Sequence, residues 1–438
     1  MATEIYKFEH EPLFVGEDGF EYNHLDLLEK YLDRQKGKKS YLFETTCSHK
    51  RNGIKFKSYV GVITVKDLTI YVLPKADKDA KEANGDKELW QKRLTFMLSQ
   101  VYKLNVQTNT PANLQWKPNA LLNIFLKKFL EEVAVLLNRG LIKTYRKTDG
   151  NRNALKGKLL FNKQISVNCV HQEQFYVRYT TYDYNHILNR IIRQALLAVC
   201  DITNSSDIKG RATSTLFNFP ELHEIAVTPE LFSRLIYDRK SEDYRNVIKL
   251  AEMILLNYSP DLHHGSNHVW TLMFDMNKLW EEFVYVTLKR KLPGCTVTAQ
   301  KQKNLWKNMS TNSIKHVKAD IVIQNKDGKI FVLDTKWKMP KYDGKIVPSD
   351  ADLHQMYVYL DIYGDNQSSE KAKKVALLYP GHDIPDVEGE FINTTTNAKC
   401  DMIFLPGKDY QATEDNKKEF VSWQNAMAEH INNWINKQ

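Results

Sequence analysis

Asp320, Asp334 and Lys336 have the types and spacing to hold a divalent cation and to ready a water for attack on phosphate. They lie in HVKADIVIQNKDGKIFVLDTKWK, His316 to Lys338, where aliphatic and β-branched residues fill two arms around Lys326-Asp327-Gly328-Lys329. Asp-Gly between such arms signals a β-hairpin. Side chains alternate across a strand, so Asp334 and Lys336, two apart, point the same way. Cleaving a phosphodiester requires charge on phosphorus to be met, a nucleophile to be made from water, and the leaving oxygen to be stabilised. Mg²⁺, or Mn²⁺ in its place, supplies much of this when carboxylates hold it with positions open for water and substrate. Asp320 and Asp334 would be its ligands, the Thr335 carbonyl a neutral oxygen, and Glu281 the completion of the acidic set. Lys336 is a compact cation suited to orienting the water or neutralising transition-state charge, and Lys338 is the alternative lysine. The plainer reading of Asp334 and Lys336 is a salt bridge on a solvated face. Ile330-Phe331-Val332-Leu333 is too apolar for an exposed edge, so charges at its end line a cleft.

Other elements must deliver these residues. Val269 to Leu292 reads as one helix carrying Glu281 beside Trp280; a strand, Cys295 to Gln300, and the hairpin follow. A helix from Asp350 to Tyr363 carries Gln355 and Tyr359; strands at 374–379 and 402–406 and a helix from Glu419 to Asn436 close the chain. This alternation describes a C-terminal α/β domain with a mixed central sheet, residues 261–438. Lys301, Lys303, Lys307, Lys315, His316 and Lys318 crowd the approach to the hairpin with Trp306 among them, and Lys338 stands beyond it. These lysines are either a solvated face or contacts to the phosphates of DNA. Adjacent histidines in Asp261 to Gly265, DLHHG, have no cysteine or acid at zinc spacing and read as surface residues.

Upstream the chain is α+β. Residues 1–111 form a β-rich domain, with strand patterns at Tyr41 to Thr45, Ile54 to Val65 and Leu68 to Leu73, and a polar loop from Ala76 to Lys87. Residues 112–260 carry a long helical hairpin: Leu121, Leu122, Phe125, Leu126, Phe129, Leu130, Val133, Leu136 and Leu137 recur at helical spacing, and a second helix spans Tyr184 to Cys200. Between them Lys143, Arg146, Lys147, Arg152, Lys156, Lys158 and Lys163 punctuate β-like segments. This interval is either a projecting, strand-rich tip for docking a partner or an ordinary surface loop.

The totals exclude several classes. The 438 residues suit two or three domains of about 100–200 residues each. A hydrophobic share of 42% and a charged share of 26% describe a globular chain. No apolar run nears the roughly 20 residues that span a bilayer, and the acidic N-terminus lacks a secretory plan, so a cytoplasmic address is expected. Five scattered cysteines make neither a disulfide framework nor a Cys-x-x-Cys site. A formal charge of +9 permits a polyanionic partner. No Gly-x-x-x-x-Gly-Lys-Ser/Thr occurs, so the chain is not itself a P-loop motor.

An acid, a hairpin, then acid-x-Lys, followed by Gln355-x-x-x-Tyr359, resembles the PD-(D/E)XK nuclease superfamily. Within it the chain is similar to the McrC subunits of modified-cytosine restriction systems, through YVGVITVKDLTIYVLPK (Tyr59 to Lys75), NALKGKLLFNKQI (Asn153 to Ile165), YDYNHILNRIIRQAL (Tyr182 to Leu196) and FDMNKLWEEFV (Phe274 to Val284). The resemblance implies a PD-(D/E)XK fold for the C-terminal domain, with Asp320, Asp334 and Lys336 catalytic, Glu281 an accessory acid, and Gln355 and Tyr359 beside them. It also implies a Mg²⁺-dependent DNA endonuclease in an anti-phage restriction system, docked on and stimulating a hexameric AAA+ GTPase, with self-association through that assembly. Ala319 departs from the superfamily pattern, which has proline there. Two other readings stay open: a regulatory subunit that activates the partner with little nuclease activity, and an autonomous nuclease.

Overall fold

The computed structural model describes residues 3–34, 42–48, 51–66, 68–74, 85–102, 119–203, 205–259, 269–338, 340–342, 345–363, 374–381, 386–394, 397, 399–405 and 416–437. DLHHG, most of the 76–87 loop and the entry to the first long helix lie outside them. The chain divides into two compact units, Met1–Pro118 with Met273–Gln438, and Asn119–Leu272. The sequence suggested three consecutive domains; here the first and last segments share one unit.

The N-terminal part of the first unit runs β1 (Thr3–Phe8), β2 (Pro12–Phe14), α1 (Tyr22–Arg34), β3 (Phe43–Ser48), β4 (Arg51–Phe56), β5 (Tyr59–Val65), β6 (Leu68–Leu73) and α2 (Gly85–Tyr102). Strands β2, β4 and β3 make a small antiparallel sheet. β5 and β6 form a hairpin, and β1 joins β6 in parallel, Thr3 opposite Leu68. β6, LTIYVL, is buried along its whole length, as a continuous apolar run in a covered sheet should be.

The second unit holds α3 (Asn119–Arg139), β7 (Thr144–Arg152), β8 (Lys158–Leu159), α4 (Phe161–Val167), β9 (Phe175–Asp183), α5 (Ile187–Ile202), α6 (Ser206–Phe217), α7 (Pro229–Ser233), α8 (Tyr244–Asn257) and β10 (Tyr258–Ser259). Phe125, Leu126, Phe129, Leu130, Val133 and Leu136 bury one stripe of α3, and Ile191, Ile192, Ala195 and Val199 do the same for α5. The basic interval is a folded insert, a sheet in the order β7-β9-β8 with α4 beside it. The side-chain amide of buried Asn189 joins its two ends, donating to the carbonyls of Ile142 and Tyr184 at 2.8 Å each. Within the insert Arg178 grips Asp149 through two 2.7 Å hydrogen bonds, while Leu155, Phe161, Ile165 and Val170 stand exposed.

The chain then returns to the first unit through β11 (Val269–Asp275), α9 (Met276–Lys291), β12 (Thr296–Lys307), β13 (Ile314–Gln324), β14 (Ile330–Thr335), β15 (Lys341–Tyr342), β16 (Lys345–Ile346), α10 (Asp350–Ile362), β17 (Lys374–Pro380), β18 (Val387–Ile392), β19 (Lys399–Leu405) and α11 (Asn416–Asn436). The single helix expected from Val269 is a strand followed by a helix. VWTLMFD is β-branched and aromatic, β11 lies beside β5, and Asp275 caps α9 by accepting from the Asn277 amide. The main sheet has the order β12-β13-β14-β17-β19-β18. It is mixed: β14, β17 and β19 are parallel neighbours, and the remaining pairings are antiparallel. On one face α10 buries Met356, Tyr359 and Tyr363 against Val332, Val375, Leu377 and Met402. On the other, Phe331 meets Trp434 of α11 edge to face at 5.8 Å. The chain is thus mixed α/β, and among the described residues no helix is long and apolar enough to cross a membrane.

Candidate active site

β13 and β14 are the expected hairpin, closed by a turn in which the Asn325 amide donates to the Lys329 carbonyl and the Gly328 amide to the Asn325 carbonyl. β14 is central, so its apolar run is buried on both sides and Asp334 is carried to its C-terminal end with only 1% exposure. The Thr335 amide and hydroxyl both donate to Asp320 Oδ2, at 2.9 and 3.0 Å, which ties the two strands together at the acids. Asp334 Oδ1 accepts from Gln355 Nε2 at 3.1 Å, and the Tyr359 hydroxyl stands 3.4 Å from it. Lys336 Nζ lies 2.5 Å from Asp334 Oδ2, 3.3 Å from Asp352 Oδ1 and 3.2 Å from Gln355 Oε1. Asp334, Lys336, Gln355 and Tyr359 therefore form one bonded cluster, to whose strand end Asp320 is tied through Thr335, although Gln355 and Tyr359 come from α10 and the others from the hairpin.

Three residues enter that sequence reasoning did not select. Asp352 pairs with both lysines, Lys336 and, at 2.6 Å, Lys338. Its position three before Gln355 puts the two on one face of α10, and that spacing was the signal. Gln300 donates to Glu281 Oε1. The register of β12 passes from Ala299 opposite Ile321 to Lys301 opposite Ala319, and Gln300 between them has a left-handed φ of 52°, which no sequence motif announces. Tyr363 receives the Ala319 N–H at 2.9 Å. Proline at 319 would have no hydrogen to give, so the departure from the superfamily pattern has a local partner.

The electrostatics of the cluster are those of crowded acids. Burial, then the charge of Asp320, pushes the Asp334 carboxyl up to about 6 against the pull of Lys336. Burial also raises Asp320, with the Thr335 hydrogen bonds opposing. Glu281 is pushed up to about 8, by burial first and Asp320 next. Burial alone would lower Lys336, but Asp334 and Asp352 hold it above its usual value, so it is a cation. Paired buried oxygens that resist their own negative charge fit a hard divalent cation. Asp320 and Asp334 are the side chains that would hold it. Among the described residues no three His, Cys, Asp or Glu side chains converge as a metal-binding group. Glu281 Oε1 accepts from Gln300, and its charge bears on the acidic pair; the Thr335 contacts seen are from its amide and hydroxyl.

The flanking lysines divide by strand face. Gln302 opposite Lys318, Asn304 opposite His316 and Lys307 opposite Ile314 share the face of Asp320. Lys301, Lys303 and Lys315 lie on the other, where the Tyr363 hydroxyl reaches the Lys301 carbonyl. Lys338 is engaged with Asp352.

Residues 54–380 match the model of a family described as the McrBC 5-methylcytosine restriction system component. The chain belongs to the McrBC family. That match spans both units and includes the whole acidic cluster. Among McrBC proteins, the type IV methyl-directed restriction enzyme EcoKMcrBC of Escherichia coli (strain K12) is 25% identical over 236 residues, 52% of this chain and 67% of that protein. A solved structure described as a half-complex from a tetradecameric assembly of Thermococcus gammatolerans McrB AAA+ hexamers with bound McrC contains a chain of similar fold. The TM-score is 0.57 at 21% identity, covering 99% of this chain and 100% of that one.

Proposed function

We propose that this McrBC family member is the nuclease subunit of a motor-dependent restriction system, hydrolysing DNA phosphodiesters in a PD-(D/E)XK-type site that uses Mg²⁺ or Mn²⁺. The observation that carries the reading is the convergence of Asp320, Asp334 and Lys336 at the end of a central strand, Asp320 held by Thr335 and the other two by Gln355. When bound, the cation supplies Lewis-acid stabilisation and a more acidic water. Asp320 and Asp334 would hold it, each oriented by hydrogen bonds to its neighbours. Lys336, kept charged by Asp334 and Asp352, orients the attacking water and offsets charge on the phosphoryl oxygens. Gln355 holds Lys336 and Asp334 in one geometry through its two amide atoms.

The similarity to a chain solved with McrB AAA+ hexamers supports a separate AAA+ NTPase partner. The folded insert β7-β9-β8 is the segment assigned to that partner, because it is basic, carries exposed apolar side chains, and has its two ends joined by Asn189. Asp334→Asn and Lys336→Gln should each lower duplex cleavage by about 10²-fold or more, the scale of losing one transition-state contact, while partner binding stays intact. Cleavage by either variant at the wild-type rate in the assembled system would remove the site assignment.

A further inference from the structure

The face of β13 that carries Asp320 does not stop at the active site. β12 and β13 run on beyond the rest of the sheet as a two-stranded arm, closed at its tip by the Asn308 amide to the Ser313 carbonyl at 2.8 Å. Asn308 Oδ1 also accepts from the amides of Ser310 and Thr311 at 2.9 Å each, so the tip has a set shape. On the face shared with Asp320, Lys318, Gln302, His316, Asn304, Lys307 and Ile314 are all exposed. The opposite face is part-covered at its base, around Ala319, Val317, Lys301 and Lys303. No Asp or Glu occurs between Glu282 and Asp320, and none of the five arm lysines forms an ion pair among the described residues.

The geometry points to the Asp320 face of the β12–β13 arm as a track for the backbone of duplex DNA, leading away from the scissile phosphate. This inference rests on the nuclease reading, and adds to it which face binds and how far. At about 3.4 Å per residue the six steps from Asp320 to Ile314 span about 20 Å. A duplex rises about 3.4 Å per base pair, so the track covers roughly six base pairs on one side of the cut. Lys318 is the inner cation and Lys307 the outer one; Gln302, His316 and Asn304 supply hydrogen-bonding groups between them. Beyond Asp320 this face bears cations, amides and an imidazole and no further carboxylate, which complements a polyanion. An acidic protein surface would meet the same charge, but it would have no reason to be continuous with Asp320.

The test is binding of a fluorescein-labelled 30-base-pair duplex by the full chain in EDTA, followed by anisotropy across a salt series. Each phosphate contact contributes about 0.9 to the slope of log K against log salt. K307Q/K318Q should reduce the slope magnitude by about 2, while K301Q/K303Q/K315Q should leave it within about 0.5 of wild type. Equal losses from the two faces, an unchanged slope in K307Q/K318Q, or no duplex binding by the wild-type chain would overturn the track. D334N separates the two ideas: retained binding with the wild-type slope and no cleavage supports both. A wild-type chain that binds along this face but never cleaves, alone or assembled, would sink the nuclease reading and leave the track standing.

Discussion

Glu281 shows how a buried position changes the chemistry of a single residue. The Met276–Lys291 helix places it near the acidic pair, and its Oε1 accepts from Gln300. Its carboxyl, raised from 4.5 to about 8 by burial and by Asp320, is a group more easily protonated folded than unfolded. Such a group favours the folded state below the unfolded value, and that contribution is lost as pH rises through the folded one. In EDTA, thermal stability should fall between about pH 4.5 and 8 partly because of Glu281. Glu281→Gln should flatten that fall, by an amount muted by the residue's partial exposure, in melting temperatures measured across this range. An unchanged profile would show that the Glu281 carboxyl titrates alike in the folded and unfolded chain. Asp320, Asp334 and Lys336 were legible from residue type and spacing alone. Asp352 was signalled only by its spacing from Gln355 on α10, and Gln300, which depends on an irregularity in β12, by nothing in the sequence.

Among the elements, the strand-rich insert was the one with two open readings, and it is a sheet. Its register depends on Gly157, whose φ is 85° and whose α-carbon faces the Arg178 carbonyl so closely that a β-carbon would collide with backbone. Gly157→Ala should cost about 1–3 kcal/mol of local stability and detach β8 from β9. The expected readouts are faster amide exchange at 158–178, several-fold weaker stimulation of the partner NTPase, and unaltered metal binding by the acidic cluster. Full stimulation despite fast exchange would remove the insert from partner docking. Periodicity identified α3 and α5 because each buries one stripe. It misread Val269–Asp275, where an apolar stretch continuous with a helix pattern becomes a strand because β5 is available to pair with it.

At the scale of the molecule, the first unit is built from both ends of the chain. β11 lies beside β5, the Met276 amide donates to the Ser58 carbonyl at 3.0 Å, and Phe96 of α2 meets Phe283 of α9 at 6.0 Å. Trp337, between Lys336 and Lys338, donates its indole N–H to buried Glu9 at 2.7 Å. The segment 273–438 should therefore not fold independently, although it contains every catalytic candidate. Expressed alone it should lose near-ultraviolet dichroism and cooperative melting, which the full chain keeps; a sharp transition in the fragment would show that the N-terminal strands are dispensable.

Local chemistry was decided by the order of residues. A turn signal, two apolar arms and three charges at set spacing identify the hairpin and its acids, because strand alternation and turn preferences act over a few residues. Composition likewise pointed away from a disulfide scaffold, and the five cysteines are free. The assembly of that hairpin with α10, the sorting of the arm lysines onto two faces, and the joining of Glu9 to Trp337 across most of the chain depend on contacts between residues far apart in sequence. A single sequence carries no direct record of such pairings, because they arise only when separate apolar faces find one another and bury together.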